Sequence, residues 1–192
     1  MGTVGALEFI DFTDAADWES WLESHYERQE GVWLRIAKKG SGIHSISIPE
    51  ALDGALCYGW IDSHRKGYNK EYYLQRYSPR RSKSPWSLIN VRKAEELIET
   101  KRMKPPGFAE IRRAQEDGRW DAAYESQRSA TIPPDFAAAL EQHEGAHKAY
   151  SLLDKTAQYA ILLPLLKATT AKSRAAQLQK AITTLEVNNL NQ

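Results

Sequence analysis

The feature that most narrows the possible folds is a change of hydrophobic period along the chain. From Ile61 the pattern has a period of two, with Tyr73, Gln75 and Tyr77 on one side and Tyr72, Leu74 and Arg76 on the other. Side chains that alternate between faces at each step mark a strand. Gly67 to Lys70, between the two extended runs, predicts a β-hairpin from about Ile61 to Tyr77. Val32, Leu34 and Ile36 alternate with Trp33, Arg35 and Ala37 and predict one more strand. Every other long segment is helical in period. So little strand must bury its apolar face against helices. The expected class is α+β: a small antiparallel or mixed sheet with flanking helices, followed by an all-helical C-terminal subdomain.

The helices carry their own start and stop signals. Trp18, Trp21, Leu22, His25 and Tyr26 share one face of a helix within Thr13 to Gln29, capped by Thr13 or Asp14. Ser47 and Glu50 form an S-x-x-E capping box ahead of a helix bearing Leu52, Ala55 and Leu56. Ser84 as cap and Pro85 as first residue predict a helix through Val91, Ala94, Leu97 and Ile98, ending near Lys101. A shorter helix follows Pro106 and stops at Asp117-Gly118. Leu178, Ala181, Ile182 and Leu185 give the last helix its apolar stripe. The polar stretch Glu125 to Pro134, with two consecutive prolines, divides the chain into an α+β body over 1–125, a linker over 126–134 and a helical subdomain over 135–192.

Composition excludes several function classes. In 192 residues, 42% are hydrophobic and 27% charged, ordinary values for a globular chain. The lone Cys57 rules out an internal disulfide framework and any multi-cysteine zinc or iron–sulfur centre, and fits a cytoplasmic setting. Met1 to Ile10 lacks a basic n-region and a long apolar run, so no signal peptide is expected. The longest apolar run, Tyr159 to Leu166, contains Pro164 and is far short of the roughly 20 residues of a membrane span. No cofactor and no metal are expected.

Charge is unevenly placed beneath a formal net value of +1. Residues 62–104 hold 12 Lys and Arg against five acids, a local +7, so the rest of the chain is acidic by 6. Interleaved with Arg65, Arg76, Arg80 and Arg81 are Tyr68, Tyr72, Tyr73, Tyr77 and Trp86. Guanidinium groups pair with phosphate, and rings stack on bases or sugars. The pattern fits an anionic partner, either a phosphate-containing metabolite or nucleic acid. It equally fits a solvated sheet edge whose lysines discourage aggregation.

The run Ala51-Leu52-Asp53-Gly54-Ala55-Leu56-Cys57-Tyr58-Gly59-Trp60-Ile61-Asp62, then Tyr73-Leu74-Gln75-Arg76-Tyr77-Ser78-Pro79-Arg80-Arg81 and Ser84-Pro85-Trp86-Ser87-Leu88-Ile89-Asn90, resembles the YdeI/OmpD-associated (bacteriocin-protection, OmdA-type) family. The resemblance extends from about Trp33 onward, through Gly118 to Tyr124 and the segment Tyr159 to Leu162. It implies an α+β body with a helical C-terminal part and a link to protection against bacteriocins or antimicrobial stress. It implies no known reaction. Tyr58 stands where the family often has Phe, which keeps the ring.

The candidate ligand-binding residues are Trp60, Asp62, Arg65, Arg76, Arg80, Arg81, Ser84, Trp86 and Asn90. Asp62 has the chemistry to orient Arg76 or Arg80 or to act as a base. An enzyme using Asp62, His64 and Cys57 is an alternative, although a lone cysteine among leucines is more often a small buried hydrophobe. His143-Glu144-Gly145-Ala146-His147 matches H-E-x-x-H formally, but Gly145 and a position between predicted helices argue against zinc. A third alternative is a protein–protein interaction module or homodimer built on the C-terminal helices, with the oligomeric state open.

Overall fold

The structure is a computed structural model describing residues 2–4 and 7–190. The chain divides into two compact units, Met1–Ser84 with Asn90–Gly118, and Pro85–Ile89 with Arg119–Gln192. The class is α+β with C-terminal helices, as the change of period predicts. No helix among the described residues is long and apolar enough to cross a membrane.

The first unit opens with two short paired strands, β1 (Gly2–Val4) and β2 (Leu7–Phe9). Helix α1 (Ala15–His25) follows, started by the Asp14 carboxylate, which accepts from Asp17 N at 3.0 Å. Strand β3 (Val32–Ala37) alternates buried and half-buried as its sequence does. Helix α2 (Ile48–Cys57) carries the complete capping box: Glu50 N donates to Ser47 Oγ and Ser47 N to Glu50 Oε2. Hydrogen bonding of its carboxylate to the Ser47 side chain, and then to the Ser47 backbone N–H, holds the Glu50 carboxyl below its usual range.

Strands β4 (Trp60–Gly67) and β5 (Tyr72–Pro79) form the hairpin, and the antiparallel sheet order is β3-β5-β4. Register places Tyr77 opposite both Val32 and Asp62, with an irregularity between Asp62 and Arg65. The sheet packs on α1 and α2 through Trp18, which is fully buried. Its indole N–H donates to Ala51 O at 3.0 Å, and its ring lies 5.7 Å from Tyr77 and 6.4 Å from Trp60.

Helix α3 (Leu88–Glu99) does not begin at Ser84-Pro85 as expected. Trp86 and Ser87 are instead drawn into a bridge with Tyr124: Tyr124 N donates to Trp86 O at 3.0 Å and Leu88 N to Tyr124 O at 2.9 Å. Backbone pairing with a segment distant in sequence outweighs a local cap signal. Helix α4 (Pro105–Glu116) ends at Gly118, which takes φ +76°.

The second unit contains α5 (Pro134–Gln142), α6 (Glu144–Leu152), α7 (Lys155–Leu166) and α8 (Ala171–Leu190). Phe136, Leu140, Tyr150, Leu162, Leu165 and the α8 stripe Ala181, Ile182 and Leu185 form its core. Pro164 lies within the last turn of α7, where it has no N–H to donate to Ala160 O, and the helix ends two residues later. Arg174 clasps Asp135 with two bonds, tying α8 to α5.

Candidate functional site

A cavity of about 630 Å³ in the first unit is assembled from five elements. Glu23 and Tyr26 come from the end of α1, Tyr58 to Trp60 from the α2–β4 junction, and Pro79 and Arg80 from the end of β5. The remaining lining comes from Lys104, the N-cap of α4, and from Glu110 and Arg113 further along that helix.

Backbone approach explains why these ends meet. Gly59 adopts φ +73°, and a Cβ there would lie 3.0 Å from Pro106 O, so only glycine suits both its conformation and its space. Its carbonyl accepts from Arg80 N at 3.1 Å, one step beyond the β4–β5 ladder. Lys104 N donates to Cys57 O at 3.2 Å, which hangs the α3–α4 turn on the last carbonyls of α2. Gly107 lets α4 lie directly against those carbonyls, since a Cβ would be 2.8 Å from Leu56 O and nearer still to Cys57 O.

The floor is apolar and the walls are charged. Trp60 is fully buried, its indole N–H donating to Tyr26 O at 2.8 Å. The Tyr26 and Tyr58 rings lie 6.3 Å apart at 30°, a stacked pair on one wall. Arg80 and Glu110 are both buried, and Glu110 pairs with Arg113 one turn further along α4. Lys104 takes part in no ion pair among the described residues. Burial pushes the Tyr58 phenol upward, with Glu23 and Glu19 adding to it.

Of the residues expected at a site, Trp60 and Arg80 line this cavity. Asp62 stands two residues further along β4. Burial raises its carboxyl above the usual range, and Arg65 and Arg80 act in the opposite sense. Burial and the Asp62 charge also raise the Tyr77 phenol, whose buried hydroxyl has no partner among the described residues. The rest are dispersed. Arg65 Nε donates to Gln75 Oε1 at 2.7 Å and Arg76 to Glu30 O at 2.6 Å. Arg81 is exposed on the loop that turns at Ser84, and Asn90 is in the first turn of α3. Trp86 is buried edge-on against Trp120, 4.8 Å away, within the second unit.

The sheet's aromatic rings meet the chain's own cations. Arg35 lies over Tyr72 at 4.6 Å, Lys38 over Tyr73 at 5.1 Å, and Lys66 over Trp33 at 5.0 Å. Glu110, Arg113 and Tyr26 lie outside the basic stretch, and Lys104 is the last of its cations without standing out among them. One signal existed: Gly107, Glu110, Ile111 and Ala114 share one stripe of α4, and a carboxylate on an apolar stripe needs a reason.

Burial raises the Cys57 thiol to about 11, which keeps it protonated and unreactive at neutral pH. His64 is exposed on β4. His143 is the N-cap of α6, its carbonyl accepting from His147 N at 2.9 Å, and its Nδ1 lies 2.7 Å from Glu186 Oε1. No cluster of three or more metal-ligating side chains occurs among the described residues.

Two family models match the chain. The Domain of unknown function (DUF8412) model covers residues 10–110, more than half of the sequence. The OmdA model, described as Bacteriocin-protection, YdeI or OmpD-Associated, covers residues 129–188. The OmdA resemblance therefore has its match in the helical part, including Tyr159 to Leu162, while the motif residues from Ala51 to Asn90 lie within the other span. No curated protein and no solved structure matches significantly.

Proposed function

The chain belongs to the family described as Domain of unknown function (DUF8412), and we propose that its first unit binds a small anion bearing a flat ring, such as a nucleotide, in the cavity between α1, the hairpin end and α4. The observation that carries this reading is Lys104, a cation with no ion-pair partner among the described residues, lining the same cavity as Arg80 and the stacked Tyr26–Tyr58 pair. A volume of about 630 Å³ is in the range of small-molecule sites and favours a metabolite over a nucleic-acid strand. Phosphate would take the cationic side and the ring would lie along the tyrosines. The OmdA match supports a place in bacteriocin or antimicrobial protection as the physiological setting.

A thermal-shift measurement on the full chain with AMP or inorganic phosphate tests the binding. Ligand at about 100 times its Kd stabilises the folded state by about 2.7 kcal/mol. AMP is expected to raise the melting temperature of the natural chain and not that of Lys104→Ala. No rise with either anion, or an equal rise in the variant, refutes the reading.

A further inference from the structure

The second unit holds a cavity of its own, about 440 Å³, between the segment before α5 and the helices α6 and α7. Its composition differs from that of the first: two cations, Arg128 and Lys155, border it, and no carboxylate side chain lines it. Neither cation takes part in an ion pair among the described residues. The apolar part of the lining comes from buried Leu162 and Tyr150, from Tyr159, and from Ile132, which remains 46% exposed.

This cavity has a fixed frame. The Tyr159 hydroxyl donates to Glu125 O at 2.9 Å and Gln127 Nε2 to Thr156 Oγ1 at 3.1 Å, so the segment leading to α5 is pinned over α7. Gln158 Nε2 donates to Tyr150 O at 3.2 Å, which joins α7 to the end of α6. The amide nitrogens are thus committed to protein partners, while the two cations border a concave, partly apolar space lined by no carboxylate. Charge and shape together ask for an anion with a hydrophobic body.

We propose that this cavity is a second ligand site, for an aromatic monocarboxylate. The carboxylate pairs with Arg128 and Lys155, and the ring system fills the space beside Tyr150, Tyr159 and Leu162, covering Ile132. A carboxylate matches the guanidinium fork, and a flat ring suits tyrosine walls. The site shares no lining residue with the first cavity, and its ligand carries a carboxylate where the first takes a phosphate.

Titration calorimetry of the full chain with 2-naphthoate, and with neutral 2-naphthamide as control, tests this. Saturable one-to-one binding of the naphthoate is expected, weakened about tenfold or more by Lys155→Gln or Arg128→Gln, the loss of one charge-assisted contact. Both side chains are exposed, so melting temperatures should stay unchanged, and Lys155→Arg should retain binding. Lys104→Ala, in the other cavity, should leave the affinity as it is. Absence of saturable binding, equal binding of the amide, or unchanged affinity in the Arg128→Gln/Lys155→Gln double variant would overturn the proposal. Loss of binding in Lys104→Ala instead would also overturn it.

Discussion

Gly107→Ala is expected to lower the melting temperature by about 4–8 °C and to abolish anion binding in the first cavity. The added Cβ would fall inside van der Waals contact of Met103 Sδ and Cys57 O and 2.8 Å from Leu56 O. Met103 has a flexible thioether that can turn aside. The two carbonyls cannot, because they belong to the last turn of α2, where Leu56 O accepts from Gly59 N and Cys57 O from Lys104 N. Forcing α4 outward breaks the bond that positions Lys104 and moves Glu110 and Arg113 with it. Overpacking of this kind costs about 3 kcal/mol, and the gain of about 1 kcal/mol in helix propensity from Gly to Ala only partly offsets it. For a chain of this size each kcal/mol shifts the melting temperature by about 2–4 °C. Thermal denaturation followed by circular dichroism, with AMP binding measured beside it, checks both effects. An unchanged melting temperature with intact binding would contradict the close approach of α4 to α2.

Trp18→Ala should be at least as costly to the first unit. Its ring is the common neighbour of Phe12 at 5.2 Å, Trp21 at 5.3 Å, Tyr77 at 5.7 Å and Trp60 at 6.4 Å. Its indole nitrogen also satisfies Ala51 O, and a Cβ on Gly54 would be 2.8 Å from its Cδ1, so α2 is fitted around it. Truncating a fully buried tryptophan costs about 3–5 kcal/mol in lost transfer energy and cavity formation. The expected drop is on the order of 10 °C or more, against a much smaller one for Trp21→Ala, whose side chain is half-buried. Equal effects for the two variants in a thermal melt would show that Trp18 is not the centre of this core.

The parts of the fold that were legible in the sequence are those decided within one element. Strand β3 alternates as its residues do, the α2 capping box forms both of its bonds, and the Leu178, Ala181, Ile182 and Leu185 stripe packs inward. Local signals failed where a distant partner intervened. Ser84-Pro85 carries a cap signal, yet Trp86 and Ser87 pair with Tyr124 and the helix starts at Leu88. The same limit governed the candidate site. A local +7 records where cations lie along the chain, not what covers them. Arg65 and Arg76 turned out to serve Gln75 and Glu30, while Lys66 sits over Trp33. The cavity joins Tyr26, Trp60, Arg80 and Lys104, which are separated by about 80 positions, and no spacing rule connects them.

The most direct test of the anion-binding cavity is calorimetric titration of AMP into the full chain at low and high salt, repeated with Lys104→Gln and Lys104→Arg. One-to-one binding is expected, weakening as salt rises because exposed charge pairs are screened. It should be lost in Lys104→Gln and largely restored in Lys104→Arg. Binding indifferent to salt, or of equal strength in Lys104→Gln, would contradict a cationic site in the first unit.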